Sequence, residues 1–411
     1  MTDLPQGLRI QTREPCLSDL LITNARVLTL TGDTPSDIAP IDQCDVVIER
    51  GTISAVGQRL EISSGQRFDA MGRVLIPGFV DCHTHACWAG SRLEEWEQKL
   101  KGASYLELLN AGGGIMSTVR SVREATREQL RDRLLGHLSR MLSLGTLSTE
   151  VKSGYGLSTR DEIKMLESIS EADGIWPGTL VPTACIGHAK DPEVDDFVSY
   201  TINETLPEVS RSFPGITIDA YCEDGSWTLE ETLRLFDAAL EAGHKIRVHA
   251  DQFNNLGMIP EAIKRTSLSV DHLEATTPEH LTMLAESDTF GVMLPICGLH
   301  LDDRFADGRS FLDAGGQLSI ASNYNPGSAP SCSMPLVIAA AVRKLGLLPS
   351  EALIASTRSP ARLLGLSDRG SIEPGQRADL VLLDMADERE LAFEIGSNPV
   401  AAAWIAGRRV D

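Results

Sequence analysis

No run of about 18 apolar residues occurs anywhere in the 411-residue chain, so no segment is long enough to cross a bilayer as a helix. Positive charge is scarce. Lys and Arg total 37 against 58 Asp and Glu, for a net charge of −21. That balance excludes nucleic acid and anionic membrane as expected partners, because both select a basic face. The chain also lacks any C-x-x-C pair. Its eight cysteines, at 16, 44, 82, 87, 185, 222, 297 and 332, are scattered. The opening "MTDLPQGLRIQTREP" carries no basic-then-apolar leader. Free thiols and a cytoplasmic location are therefore the expectation. No G-x-G-x-x-G follows a first strand, which removes the dinucleotide-binding fingerprint.

What is present is ordinary in bulk and unusual in pattern. A 42% hydrophobic content fits a soluble globular protein, and the length suits one large domain plus a smaller one. Short alternating segments fill residues 18–75, such as "DLLITNARVLTL" and "CDVVIERGTISAVG". They read as antiparallel strands with turns at 49–51 and 70–72. The far end repeats this style in "GSIEPGQRADLVLLDM" and "VAAAWIAGRRVD". A small β-sandwich domain built from both termini (1–75 and 361–411) is expected around a different middle.

Across 76–360, apolar strands alternate with amphipathic helical stretches such as "TREQLRDRLLGHLSRMLSLG". The strands are expected near 78–83, 147–152, 180–188, 216–223, 245–252, 268–274, 290–295 and 318–323. Eight strands with helical crossovers in about 285 residues match an α/β fold of the (β/α)8 TIM-barrel type. An open doubly wound sheet is the runner-up.

A barrel demands that chemistry gather at the carboxyl ends of its strands. Those ends carry His83 and His85, Glu150 and Lys152, His188, Glu223, His249 with Gln252, His272, and Asn323 with Asn325. The apolar run from Val74 to Val80 reads as one buried strand that ends at "HTH". Side chains repeat every two residues along a strand, so His83 and His85 face one side. Two neutral imidazoles there suit a divalent metal; the bland alternative is a hydrogen-bonded surface pair. The motif alone leaves both open, but five strand-end histidines favour a site. His137, His244, His280 and His300 fall on helices or loops and read as solvated or structural. Cys82 reads as packing, whereas Cys185, Cys222 and Cys297 lie near strand ends where they can line a pocket.

These motifs resemble the amidohydrolase superfamily, on "PGFVDCHTH", His249, His272 and the "GSIEPGQRADLVLLD" tail. Within it, "AGSR" (89–92), "GGGIMSTVRSVREA" (112–125), "EVKSGYGL" (150–157), "HADQFNNLG" (249–257), "VDHLE" (270–274) and "NPGS" (325–328) resemble the imidazolonepropionase family. The resemblance implies one divalent metal ion, zinc first, with iron, cobalt or manganese as alternatives. It implies His83, His85 and His249 as ligands, with Asn323 at the fourth ligand position. It implies His272 as the proton-handling histidine, and Arg92 with Tyr155 as the clamp on a substrate propionate. His188, Gln252, Asn325, Gly327 and Ser328 match positions that touch the ring or the propionate, and a homodimer is implied as well. Gln252 is no departure, because the family uses Glu or Gln there.

Asn323 is a departure. The family expects Asp, both to ligate and to accept a proton, and Asn carries no charge and accepts none. A second departure is "LPICGLHLDD", where relatives place an aromatic pair. The implied reaction is hydrolytic opening of a five-membered imidazolone ring bearing a propionate, by water activated on the metal. The alternative is a desulfhydrase acting on the 2-thioxo analogue of that ring, since sulfide leaves without an enzymic proton donor. A binding protein that keeps the clamp but not the chemistry is a third reading.

Overall fold

The structure, a computed structural model, describes residues 19–102 and 113–410. Cys16, with the rest of 1–18, lies outside the described residues, as do Gly112 of the "GGGI" motif and Asp411. Two sheets contain all the strands of the described residues. The mixed sheet holds β1 (Leu20–Leu28), β2 (Pro40–Glu49), β3 (Thr52–Gly57), β4 (Gln66–Asp69), β5 (Val74–Pro77), β14 (Leu380–Leu383), β15 (Val400–Ile405) and β16 (Arg408–Val410). The parallel sheet holds β6 (Phe79–Asp81), β7 (Thr146–Lys152), β8 (Thr179–Gly187), β9 (Thr217–Cys222), β10 (Ile246–Ala250), β11 (Ser269–His272), β12 (Phe290–Met293) and β13 (Leu318–Ile320).

The parallel strands lie in chain order, each beside the next, and form a nearly closed barrel. Helices such as Arg127–Ser143 and Leu229–Glu241 join them. Both helices start on capping boxes, Thr126 with Gln129 and Thr228 with Glu231, which satisfy two orphan N–H groups at each start. The first buries Leu130, Leu134, Leu138 and Met141 at helical spacing against the barrel. His137 shares that buried face, so of the two readings left open for it the structural one applies. No helix among the described residues is long and apolar enough to cross a membrane.

The barrel seam lies between β13 and β6, and polar groups close it. Ser322 donates its N–H (3.1 Å) and its hydroxyl (2.5 Å) to the Asp81 carboxylate. Asn323 N–H then donates to the His83 carbonyl at 3.0 Å, and His85 N–H to the Tyr324 carbonyl at 3.1 Å. Burial pushes the Asp81 carboxyl up to about 7.

The mixed sheet runs β16-β15-β14-β5-β1-β2-β3, with β4 also beside β1. Its core includes Ile22, Val46, Ile48, Leu380, Leu382 and Trp404. The expected hairpin turn at 49–51 is built on Arg50 and Gly51, both at positive φ (51° and 83°), which matches the twist of the strands β2 and β3 it joins. Two expectations need correction here. The N-terminal strands are not all antiparallel, because β4 and β5 pair parallel with β1. The run from Val74 to Val80 is two strands in two sheets, not one. Pro77 has no N–H to continue the ladder. Gly78 then donates to Asp379 and Phe79 to Gly145, which carries the chain from one sheet to the other. A side chain at 78 would stand 2.5 Å from Leu147, so the crossing needs glycine.

Candidate active site

The carboxyl rim of the barrel carries unusual backbone. Asp251 (φ 57°), His272 (φ 91°), Leu273 (φ 74°) and Asn323 (φ 54°) all sit in the left-handed region, which residues other than glycine enter at a cost. Asn and Asp tolerate it best. The branched Leu273 and the ring of His272 are held there by the turn that follows β11, closed by Thr276 N–H on the Leu273 carbonyl.

Three imidazoles converge at this rim, with one ring nitrogen each from His83, His85 and His249 within 4.8 Å of one another. All three are buried. His83 donates Nδ1–H to Asp271 Oδ2 at 2.6 Å, and His249 donates Nδ1–H to Asp219 Oδ1 at 3.0 Å. These carboxylates fix the tautomers and turn both Nε2 lone pairs inward. Among the described residues His83 Nε2 has no partner, and Asn323 Oδ1, also buried, has none. The Nε2 atoms of His85 and His249 face each other at 3.1 Å. Two nitrogens bound to one tetrahedral ion stand about 3.3 Å apart, so the donor set fits a divalent metal. Burial keeps the three rings neutral: it holds His83 and His85 well below the ordinary value, and it takes His249 to about 4 against the pull of Asp219.

Beneath these rings lies a fully buried charge network. Lys152 Nζ bridges Glu150 (2.6 Å) and Asp219 (2.7 Å), and Arg247 bridges Glu150 (3.2 Å) and Asp271 (2.5 Å). Burial alone would raise the Asp219 carboxyl, but His249, Lys152 and Arg247 hold it below the usual range. Each carboxylate that orients a ligand is thus itself anchored by a cation. Glu150 and Lys152 were expected at the rim as chemistry; the structure places them in this supporting layer. Asp219 and Asp271 were missed. Their signal was a lone carboxylate inside an apolar strand, in "TIDAYC" and "SVDH".

The remaining expected residues differ in their partners and in their freedom. The His188 ring stacks on that of His85 at 4.6 Å, and its Nδ1–H donates to the Gly154 carbonyl. The Tyr155 ring lies 5.2 Å from His188 and 5.9 Å from His85, and burial raises its hydroxyl pKa. Gln252 accepts from Tyr221 Oη at 2.8 Å and donates Nε2–H to the Cys297 sulfur at 3.2 Å. Arg92 is already bidentate to Glu95, at 2.6 and 2.5 Å through Nε and Nη2. Among the described residues its Nη1 reaches Thr118 at 3.4 Å, and a side chain at Gly327 would come within 3.3 Å of it. Asn325 spends its amide inside its own loop, accepting from Gly327 and Ser328 N–H and donating to the Asn323 carbonyl. A cavity of about 560 Å³ opens beside Arg92, with Trp88, Trp96, Arg140, His300 and Tyr324 in its walls; the three clustered histidines do not line it.

His272 is the fourth rim histidine, with its ring 5.7 Å from that of His249. Its Nδ1 faces Glu274 Oε1 at 3.3 Å, and the Cys297 sulfur lies within 4.8 Å of one of its ring nitrogens. Burial works against its charge, yet Glu274 and Cys297 outweigh burial and raise its pKa. Of the four histidines set aside as solvated or structural, His137 and His244 are buried and bonded to the Ala86 and Ile216 carbonyls. His280 contacts Asn255 on the surface side. Cys82 packs with Val292 and Leu294, as read.

The amidohydrolase family model, "Amidohydrolase family", matches residues 74–410. The chain therefore belongs to the amidohydrolase family, and it is a metal-dependent hydrolase. Among its relatives are proteins named imidazolonepropionase. The one from Herpetosiphon aurantiacus is 41% identical over 96% of this chain and 97% of its own. Another, from Deinococcus radiodurans, is 39% identical over 92% and 95%. Solved structures share the fold at lower identity. A triazine hydrolase variant superposes with a TM-score of 0.73 at 18% identity, over 95% of this chain and 94% of that one. An adenosine deaminase from Xanthomonas campestris with bound zinc gives 0.68 at 19%, over 96% and 93%.

Proposed function

We propose that this hydrolase opens a cyclic amide, a five-membered imidazolone ring that carries a propionate. The observation that carries this reading is the inward convergence of His83, His85 and His249, with the unpartnered oxygen of Asn323 beside them, in a chain 41% identical to an imidazolonepropionase. Those four residues would hold one divalent ion, zinc by donor type, and it would polarise the ring and activate the attacking water. A cytoplasmic homodimer goes with the same reading.

The chain's own groups do the rest. Arg92 receives the propionate at Nη1, while Glu95 keeps the guanidinium plane fixed. Tyr155, protonated because it is buried, donates a second hydrogen bond. His188 flanks the ring, stacked on His85. Gln252, oriented by Tyr221, presents its N–H edge towards the ring. His272 accepts the water's proton and returns it to the departing nitrogen, with Glu274 stabilising its charged form. Gly327 and Ser328 shape the floor under the propionate.

Asn323 supports a second reading. The residue at this rim position cannot accept a proton, so a leaving group that needs none is favoured. Sulfide from the 2-thioxo analogue is one, and the propionate contacts would serve it unchanged. Side-by-side turnover of the two compounds, with sulfide monitored, separates the readings. Ring opening without sulfide supports the first, and sulfide release supports the second. No turnover of either by the metal-loaded protein would overturn both.

A further inference from the structure

We propose that His272, Glu274 and Cys297 form a second metal site, selective for zinc and other thiophilic divalent ions. One ring nitrogen, one carboxylate oxygen and the Cys297 sulfur lie within 4.8 Å of one another. The Glu274 side chain is 6% exposed, and its Oε2 is buried with no partner among the described residues. A carboxylate oxygen left unpaired at that depth is costly unless something cationic meets it. Its other oxygen reaches His272 Nδ1 only at 3.3 Å, long for a charge-assisted hydrogen bond. Cys297 is 1% exposed, and the Gln252 N–H donates to its sulfur at 3.2 Å, which fixes the sulfur in the pocket.

The backbone supports the same arrangement. The left-handed turn at His272 and Leu273 folds Glu274 back beside the ring two residues earlier, so the β11 end supplies two donors. Cys297, on the helix Pro295–Leu301 after β12, supplies the third. A sulfur, an imidazole and a carboxylate in one buried pocket form a mixed donor set of the zinc type, with a fourth position open. Among the described residues a second sulfur-containing group, Cys185 with Asp219 and His249, is a poorer candidate. Its Asp219 is held by Lys152 and its His249 belongs to the first cluster.

Binding would displace the thiol proton and the proton between His272 and Glu274, so the ion takes up the basic nitrogen that proton transfer needs. Excess zinc would then slow turnover; that consequence, unlike the site itself, rests on the role proposed above for His272.

The test uses the full, metal-stripped protein titrated with cobalt(II). Two ions per chain are expected, the second bringing a near-ultraviolet sulfur-to-cobalt charge-transfer band. Cys297→Ser should lose that band and one ion, while keeping the visible bands of the histidine site as proof of folding. Glu274→Gln, which retains the thiol, should weaken the second ion about 10-fold or more. His249→Ala should empty the first site and keep the sulfur band, so failure of the histidine cluster would not be mistaken for failure of this site. One cobalt per chain with no sulfur band, or a band that survives Cys297→Ser, overturns the proposal.

Discussion

Asn323 and His83 are joined by a backbone hydrogen bond of 3.0 Å, so the seam that closes the barrel runs through a ligand-type histidine and its oxygen-bearing neighbour. The side chain at 323 is thereby fixed at the rim whatever its charge. Asn323→Asp therefore changes chemistry more than position. If the protein opens imidazolone propionate, the new carboxylate restores a proton acceptor and kcat should rise by about 10²-fold. If it releases sulfide from the thioxo ring, the extra negative charge makes the activated water less acidic, and kcat should fall. Steady-state rates on both compounds read the sign. An unchanged kcat on both would show that position 323 takes no part in either reaction.

Asp271→Asn should keep the His83 contact but remove the charge that anchors Arg247 and fixes the ring. Metal affinity is expected to drop about 10–100-fold, read by competition with a chelating dye. His83→Ala should abolish binding at that site altogether. Equal affinity in wild type and Asp271→Asn would mean the carboxylate serves only to neutralise Arg247.

Arg92→Ala should raise KM by about 10–100-fold for a propionate-bearing substrate, because a charge-assisted contact is lost. Glu95→Gln tests the alignment of the guanidinium. It frees Arg92 to turn, so kcat/KM should fall while the affinity for simple carboxylates changes little. An unchanged KM in Arg92→Ala would place the propionate elsewhere.

The buried neutral histidines set an acid limit on stability. His137, His188 and His249 have folded pKa values of about 4, about 3 and about 4, all lowered from 6.5 mainly by burial. Between 6.5 and about 4 the unfolded chain binds protons that the folded chain refuses, so stability rises with pH there and is lost as pH falls. Each such group adds a slope of about 1.4 kcal/mol per pH unit. Thermal melts of metal-free protein should show Tm falling below pH 6.5, with part of the slope offset by Asp81, whose carboxyl, raised to about 7, takes up a proton in the fold over the same range. A flat profile down to about 4 would mean that these rings are already protonated in the fold.

The barrel was legible because its strands are short, apolar and spaced by strongly amphipathic helices. The histidines were legible because few other reasons place His at five strand ends. The strand switch at Pro77 and Gly78 was not legible, since both sheets bury the flanking residues and hydropathy runs on unbroken. Asp219 and Asp271 were hidden for the opposite reason. A buried carboxylate gains meaning only from its cation: Lys152 reaches Asp219 from two strands away, and Arg247 reaches Asp271 from the next strand. The engagement of Arg92 by Glu95, three residues on, is a helix-surface spacing that could have been read.

The strand β5 lies between β1, made earlier in the N-terminal segment, and β14, made about 300 residues later. At about 5–20 residues per second of synthesis, one edge of β5 waits roughly 15–60 s for Leu380–Leu383 to emerge. During that time Leu75 and Ile76 offer an unpaired apolar ribbon while the barrel grows beyond them. The nascent chain thus carries an open strand edge, a liability for pairing with other chains, until Leu380–Leu383 clasps it.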